Sequence, residues 1–158
     1  MNKKKKQNSD HNITTNRKAS HDYHLEERYE AGIVLHGWEV KSMRANRANI
    51  KESYISPHGG ELFLIGAHIS PDATTSTHEV VNPTRKRKLL LHRVEINRLI
   101  GSVERKGYSL IPTRLYWSDG RVKLEFAVAK GKKQYDKRAA IKARDIERDR
   151  DRDLSRLN

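Results

Sequence analysis

The sequence predicts a mainly β domain, a small antiparallel barrel with two or three short helices, held between basic tails. Three observations predict it. Apolar residues alternate with polar ones in several segments, turn-forming clusters separate such segments in pairs, and much of the net charge lies at the two ends.

From Tyr23 the odd positions Tyr23, Leu25, Glu27, Tyr29, Ala31, Ile33 and Leu35 form one face of a long half-buried strand, broken only at Glu27. After Gly37, the run Trp38 to Arg44 sets Val40 and Met43 three apart with basic side chains on other faces, as in a short amphipathic helix. Pro57-His58-Gly59-Gly60 stands between Tyr54-Ile55-Ser56 and Glu61 to Ile65, which predicts a hairpin whose second strand is buried on both faces. A polar loop from Pro71 to Thr84 leads to the basic run Arg85 to Lys88 and then to Leu89-Leu90-Leu91. Ile96, Leu99, Ile100 and Val103 keep helical spacing within 93–106, and Gly107 stops that helix. Tyr108 to Trp117 and Arg121 to Ala129 flank Ser118-Asp119-Gly120 as a second hairpin, with Val122, Leu124, Phe126 and Val128 alternating inward. Roughly six short strands and two helices in ~110 residues suggest a barrel or sandwich, and small barrels of the OB kind commonly bind nucleic acid on one face.

The formal charge of +13 over 158 residues points to a polyanionic partner. Residues 1–20 contribute +5 and residues 131–158 contribute +4, so the stretch between them is only mildly basic. Residues 1–18 hold a single aliphatic side chain, Ile13, too little apolar surface to offset ordering entropy, and are expected to be a disordered basic arm. Residues 19–130 are expected to form the barrel, and 131–158 a basic tail that is disordered when free. No apolar run approaches the ~20 residues that span a bilayer, and the lysine-rich start lacks the apolar segment of a secretory signal, so a cytoplasmic location is expected. The absence of Cys removes disulfides, thiolate catalysis and Cys-ligated zinc. Neither a nucleophile motif nor a phosphate-cradling Gly-rich loop is present. No enzymatic activity, metal or cofactor is expected.

The basic run Arg85 to Lys88 is a candidate phosphate contact. In the tail, Arg144, Arg148, Arg152 and Arg156 recur every four residues and would share one helical ridge, with Asp145, Asp149 and Asp153 on the next. Like charges at that spacing oppose a helix by about 0.2–0.5 kcal/mol each, and pairs such as Asp145 with Arg148 return a similar amount. Neutralisation of the Arg ridge by phosphates would tip this balance toward helix.

Asn16-Arg17-Lys18-Ala19, Tyr29-Glu30-Ala31-Gly32, Gly37-Trp38-Glu39-Val40-Lys41-Ser42, Phe63-Leu64-Ile65-Gly66-Ala67, Pro83-Thr84-Arg85, Arg87-Lys88-Leu89-Leu90-Leu91 and Val128-Ala129-Lys130-Gly131-Lys132-Lys133-Gln134 follow one another along nearly the whole chain. Together and in this order they resemble the SmpB family of tmRNA (SsrA)-binding proteins. The resemblance implies an OB-like barrel that binds the tRNA-like, alanine-charged end of tmRNA and delivers it to the empty A site of a stalled ribosome, in trans-translation. It implies an RNA-binding set of Arg17, Lys18, Glu30, Lys41, Arg44, Arg85, Lys88, Leu90, His92 and Lys130. It further implies that Lys132, Lys133, Tyr135, Asp136, Lys137 and Arg138, with Arg144, Arg148 and Arg152 beyond them, enter the decoding centre and mRNA channel against 16S rRNA, where the tail is helical. As a helix its 28 residues would reach about 40 Å. His92 stands where the family commonly has Asn, and Tyr135 where it commonly has His. A generic OB-fold ribosomal protein or translation factor explains charge and fold equally well, and the motif set separates the two. Neither a membrane nor DNA is expected as a partner.

Overall fold

The computed structural model describes residues 11–72, 81–132, 142 and 144–152. Strands β1 (His11–Thr15), β2 (Tyr23–Ile33), β4 (Tyr54–His58), β5 (Glu61–Ile65), β7 (Arg87–Leu90), β8 (Ser109–Ser118) and β9 (Arg121–Gly131) form one sheet; β3 (Ala48–Asn49) and β6 (His68–Ile69) pair separately. Every pairing is antiparallel. The order β8-β4-β5-β7-β2-β9 returns from β9 to β8, so the ring is closed and β1 joins it alongside β8. Closure removes the unpaired edges that an open sheet would present. This is the OB-like barrel that the resemblance implies, and it settles the choice between barrel and sandwich that the strand pattern left open.

Helix α3 (Arg93–Lys106) lies where its periodicity places it, with Ile96 and Leu99 buried in the core and Gly107 in the left-handed conformation after its last turn. Helix α2 (Gly37–Arg44) buries Trp38 and Met43 in the same core. On β9 the alternating Val122, Leu124, Phe126 and Val128 all face inward. In the first hairpin the turn narrows to Gly59-Gly60, so β4 runs through Pro57 and His58. Its partner β5 buries Leu62 and Leu64 but leaves Phe63 and Ile65 half exposed, because only one face meets the core; the Lys86 ammonium lies 4.6 Å from the Phe63 ring centre on the other.

Two bulges change which face of a strand is buried. β2 carries one extra residue between Leu25 and Arg28 relative to β9. The break at Glu27 marks this bulge, and it divides the single predicted face in two. Tyr29, Ala31 and Ile33 pack on the barrel core, whereas Tyr23 and Leu25 pack outside it with Ala19, Ile111 and Ala129. β8 has a matching irregularity between Pro112 and Arg114, where a proline that cannot donate to the ladder is tolerated.

Of the segment expected to be a disordered arm, residues 11–18 are described, and they are folded. From His11 the chain pairs with Arg114–Trp117 of β8, and the lone aliphatic Ile13 is buried in the core. Helix α1 (Lys18–Asp22) then seats Ala19 over Ile111 and Ala129. A long-range pairing supplies what local composition could not. The polar loop expected from Pro71 to Thr84 lies largely outside the described residues.

The fold's largest buried charges meet at one point. Glu39 and Arg87 are both fully buried; Arg87 Nε donates to Glu39 Oε2, while its Nη1 and Nη2 donate to the carbonyls of Ala67 at 2.9 Å and Pro83 at 3.0 Å. Arg85 Nη2 donates to Glu39 Oε1, which also accepts the His36 backbone N–H at 2.8 Å as a capping box for α2. Burial raises the Glu39 carboxyl, but donation from His36, Arg85 and Arg87 outweighs it and holds the group below its ordinary value.

Replacing Glu39 by Gln leaves Arg87 as an uncompensated buried charge, and is expected to cost about 3–5 kcal/mol in denaturant unfolding. Because the folded carboxyl titrates below 4.5, its ordinary value, Glu39 contributes stability that is present above that pH and is lost as pH falls through the depressed folded value. Acid unfolding of the wild type should therefore be steeper below pH 4.5 than that of a Glu39→Gln variant.

Candidate nucleic-acid interface

On β2 and β9, Glu30 stands directly opposite Glu125. Like charges so placed destabilise a ladder, and their surroundings give the two carboxylates different roles. Glu125 takes the cations: Arg28 Nη1 donates to it at 2.7 Å and Arg114 Nε at 3.2 Å, with the Thr113 hydroxyl at 2.8 Å. Burial raises the Glu125 carboxyl, yet these donors hold it below its ordinary value. Glu30 accepts from a neutral donor, the hydroxyl of Tyr116 on β8. The Tyr116 side chain is 2% exposed, and the Arg114 guanidinium lies 4.1 Å from its ring centre. Burial and then the bond to Glu30 raise its hydroxyl well above the ordinary tyrosine range.

Glu30 is exposed and shares a hollow with Ser118, Asp119, Arg121 and Lys123. The two-residue turn Asp119-Gly120 has φ of 51° and 74°, a left-handed pair that closes the β8–β9 hairpin tightly and sends Arg121 and Lys123 back toward Glu30. Arg121 and Lys123 also line an adjoining groove with Gly32, Val40, Leu90 and Trp117. Leu90 is 53% exposed, so it belongs to the surface and not to the core. Gly32 lies beneath it: a Cβ at Gly32 would come within 3.2 Å of the Leu90 Cβ, tighter than most packed side chains, so Leu90 would have to shift. Thus Glu30 and Leu90, both implied by the resemblance, line two adjoining concavities that share Arg121 and Lys123. His92, also exposed, precedes the first turn of α3.

The other predicted contacts fall elsewhere. Arg85, expected to hold phosphate, gives its Nη2 to Glu39 and to the Val34 carbonyl at 3.3 Å, a structural position. Arg87, within the same basic run, is wholly internal. Lys88 is half exposed beside Phe63 of β5, and Lys41 and Arg44 are exposed on α2. Arg17 and Lys18 begin α1, where Lys18 donates to Glu52 at 3.1 Å, and the Lys130 ammonium lies 4.7 Å from the Tyr108 ring centre. Lys132 opens the tail by bonding to α1, through its N–H to the Asp22 carbonyl at 2.8 Å and its ammonium to the Ser20 carbonyl at 2.9 Å. This group sits at the other end of the β8–β9 ladder: Leu110 and Trp117 are seven positions apart, roughly 24 Å at strand spacing. Residues 144–152 are helical and exposed, which puts Arg144, Arg148 and Arg152 on one ridge. Lys133, Tyr135, Asp136, Lys137 and Arg138 lie outside the described residues. Among the described residues no three His, Asp or Glu side chains gather as a metal site requires. No helix among them is long and apolar enough to cross a membrane.

Sequence reasoning missed Tyr116, Trp117, Arg121 and Lys123. The alternation that buries Val122 and Leu124 also turns Arg121 and Lys123 outward, so that signal was available. The phenol donating across two strands had none.

Tyr116 should remain protonated in a spectrophotometric titration at pH values where an ordinary tyrosine, near 10, has ionised. An acid raised on folding contributes stability that is whole below its unfolded pKa and is lost as pH rises through the folded one. Alkaline loss of stability is thus expected above pH 10, and it should be smaller in Tyr116→Phe. Burial raises Tyr29 too, so the difference between the two titrations isolates Tyr116.

The geometry can be set beside known proteins. The family model described as SmpB protein matches residues 13–156. The SsrA-binding protein of Dechloromonas aromatica (strain RCB) is 62% identical over 140 residues, covering 89% of this chain and 94% of that protein. The SsrA-binding protein of Xanthomonas axonopodis pv. citri (strain 306) is 56% identical over 146 residues, covering 92% and 87%. A chain of the solved structure described as "tmRNA-SmpB: a journey to the center of the bacterial ribosome" is similar with a TM-score of 0.63 and 45% identity, over 77% of this chain and 85% of that one. The closed barrel, the ordered motifs and a match that runs from β1 into the tail helix agree, and the chain belongs to the SmpB family.

Proposed function

We propose that this protein binds the tRNA-like, alanine-charged end of tmRNA and carries it into the A site of a stalled ribosome, so that the incomplete peptide is tagged and the ribosome released. The observation that carries this reading is end-to-end similarity to proteins named for SsrA binding, at 56–62% identity. The geometry supplies a fitting surface. Arg121 and Lys123 can hold phosphate, Glu30 can accept from a base amine or a ribose hydroxyl, and Leu90 with Trp117 offers apolar area to an unstacked base. Shape and single-stranded features of a folded RNA are read by such a mixed site, whereas a purely cationic one would not discriminate.

The protein itself catalyses no reaction in this scheme and acts in the cytoplasm with its RNA. The second part of the reading concerns the tail. Lys132 fixes its start against α1, and Lys133, Tyr135, Asp136, Lys137 and Arg138 enter the decoding centre ahead of the Arg144, Arg148 and Arg152 ridge, which follows the mRNA channel along 16S rRNA. Gly131 closes β9, Lys132 is held against α1 and residues 144–152 are already helical without RNA; under this reading rRNA phosphates neutralise the Arg ridge and stabilise that helix.

A salt-controlled titration against the tRNA-like domain of tmRNA, with elongator tRNA and duplex RNA as competitors, should show strong preference for the first; equal binding to all three would reduce the protein to a generic RNA-binding barrel. Lys123→Ala should lower affinity and reduce the slope of log K against log salt by about one. Deleting everything after Lys133 should spare tmRNA binding and abolish tagging in a reconstituted translation system. Retained tagging would separate the tail from accommodation.

A further inference from the structure

We propose that Tyr116 is the positioning residue for Glu30: its hydroxyl holds the carboxylate in place as a charged acceptor for an N–H or O–H donor of the bound RNA. The inference rests on the RNA-binding reading of the Glu30 surface. It is carried by how the two opposed carboxylates are provided for.

Glu30 and Glu125 face each other across β2 and β9, a placement that costs stability unless each charge is compensated. Two arginines beside the pair both go to Glu125: Arg28 from β2, only two positions from Glu30, and Arg114 from β8. Glu30 receives the phenol. An arginine fork would neutralise the Glu30 carboxylate and occupy both of its oxygens. A phenol donates once, to Oε2, and leaves the negative charge in place; among the described residues Oε1 takes no hydrogen bond. The arrangement therefore keeps one acceptor oxygen oriented and charged at an exposed position between Ser118, Asp119, Arg121 and Lys123.

Tyr116 is itself held rigidly. Its ring is buried, the Arg114 guanidinium covers it, and Arg114 is fixed in turn by Glu125, which Arg28 and Thr113 also hold. The contacts run from β2 through β9 and β8 and back to β2. A carboxylate on an exposed strand position otherwise samples several rotamers, and ordering it on binding would cost entropy. Here that ordering is built into the fold.

A double-mutant cycle tests the assignment, with Tyr116→Phe and Glu30→Gln measured singly and together for affinity to the tRNA-like domain of tmRNA over a range of salt. Each single variant is expected to bind about tenfold more weakly with its salt slope unchanged, since no phosphate contact is lost, and the double variant no more weakly than Glu30→Gln alone. Glu30→Asp adds a readout at an exposed position that does not threaten the fold: it keeps the charge but draws it back from the phenol, and should lose as much as Tyr116→Phe. If Glu30→Gln weakens binding while Tyr116→Phe and Glu30→Asp do not, Glu30 acts without positioning and the inference falls, with the RNA-binding surface intact. If Tyr116→Phe weakens binding equally in both backgrounds, its role is structural and the inference falls. If none of the variants changes affinity, Glu30 does not meet the RNA and the surface assignment falls with it.

Discussion

The cluster of buried Glu39 and Arg87 with partly buried Arg85 is the constraint on which this barrel depends. A closed ring of short strands gains little from any one ladder, and β7 pairs with β5 and β2 through only two residue pairs each. Glu39 ties β7 to α2, and the remaining arms of Arg87 tie both to the carbonyls of Ala67 and Pro83. Four separate segments meet on one carboxylate and one guanidinium. Such a pair adds little net stability over an apolar equivalent, because desolvating two charges offsets their attraction, but it tolerates only one arrangement of its partners. Its contribution is register: it fixes where Leu89 points inward and Leu90 outward, and so places Leu90 on the surface beside Gly32.

This also explains why several short, ordinary stretches mark the chain so specifically. Gly37 to Ser42, Pro83 to Arg85 and Arg87 to Leu91 are unremarkable alone, yet they supply the carboxylate, the turn carbonyl and the two guanidinium groups of a single buried cluster. A change in one without the others would leave a charge uncompensated in the core.

What was legible in the sequence follows from the range of the forces involved. Helix α3 and strand β9 declare themselves because their periodicity is local: Ile96 with Leu99, and Val122 through Val128, each reveal a buried face within a dozen residues. β1 was not legible, since Ile13 alone among polar neighbours looks like a disordered arm until β8, about a hundred residues away, offers its edge. The bulge at Glu27 was visible as a break in alternation, but its consequence was not, because nothing local says that Leu25 will pack on α1 and Tyr29 on Phe126. At the candidate site, Glu30 and Leu90 came from motif resemblance, and Arg121 and Lys123 were recoverable from alternation. The basic run shows what composition cannot: of Arg85, Lys86, Arg87 and Lys88, the structure turns two toward Glu39.

Charge in this protein is accordingly used in two opposite ways. Inside, Arg85 and Arg87 are matched to one carboxylate, and Arg87 is wholly buried with it. Outside, near the β8–β9 turn, matching is withheld. Glu125 collects Arg28 and Arg114, and Glu30 accepts its hydrogen bond from a phenol in place of an arginine. Optimising stability alone would remove one of two carboxylates placed directly opposite each other, since any neutral residue at position 30 would relieve the repulsion. Keeping both makes sense where an exposed, oriented acceptor is needed among cationic side chains, for that combination distinguishes a folded RNA's base and ribose donors from its phosphates. Local electrostatic conflict of this kind is expected where function overrides the rules that otherwise shape the fold. In this barrel it occurs beside the groove that Leu90 and Trp117 line, and the two features together are what the proposed RNA-binding reading of that end rests on.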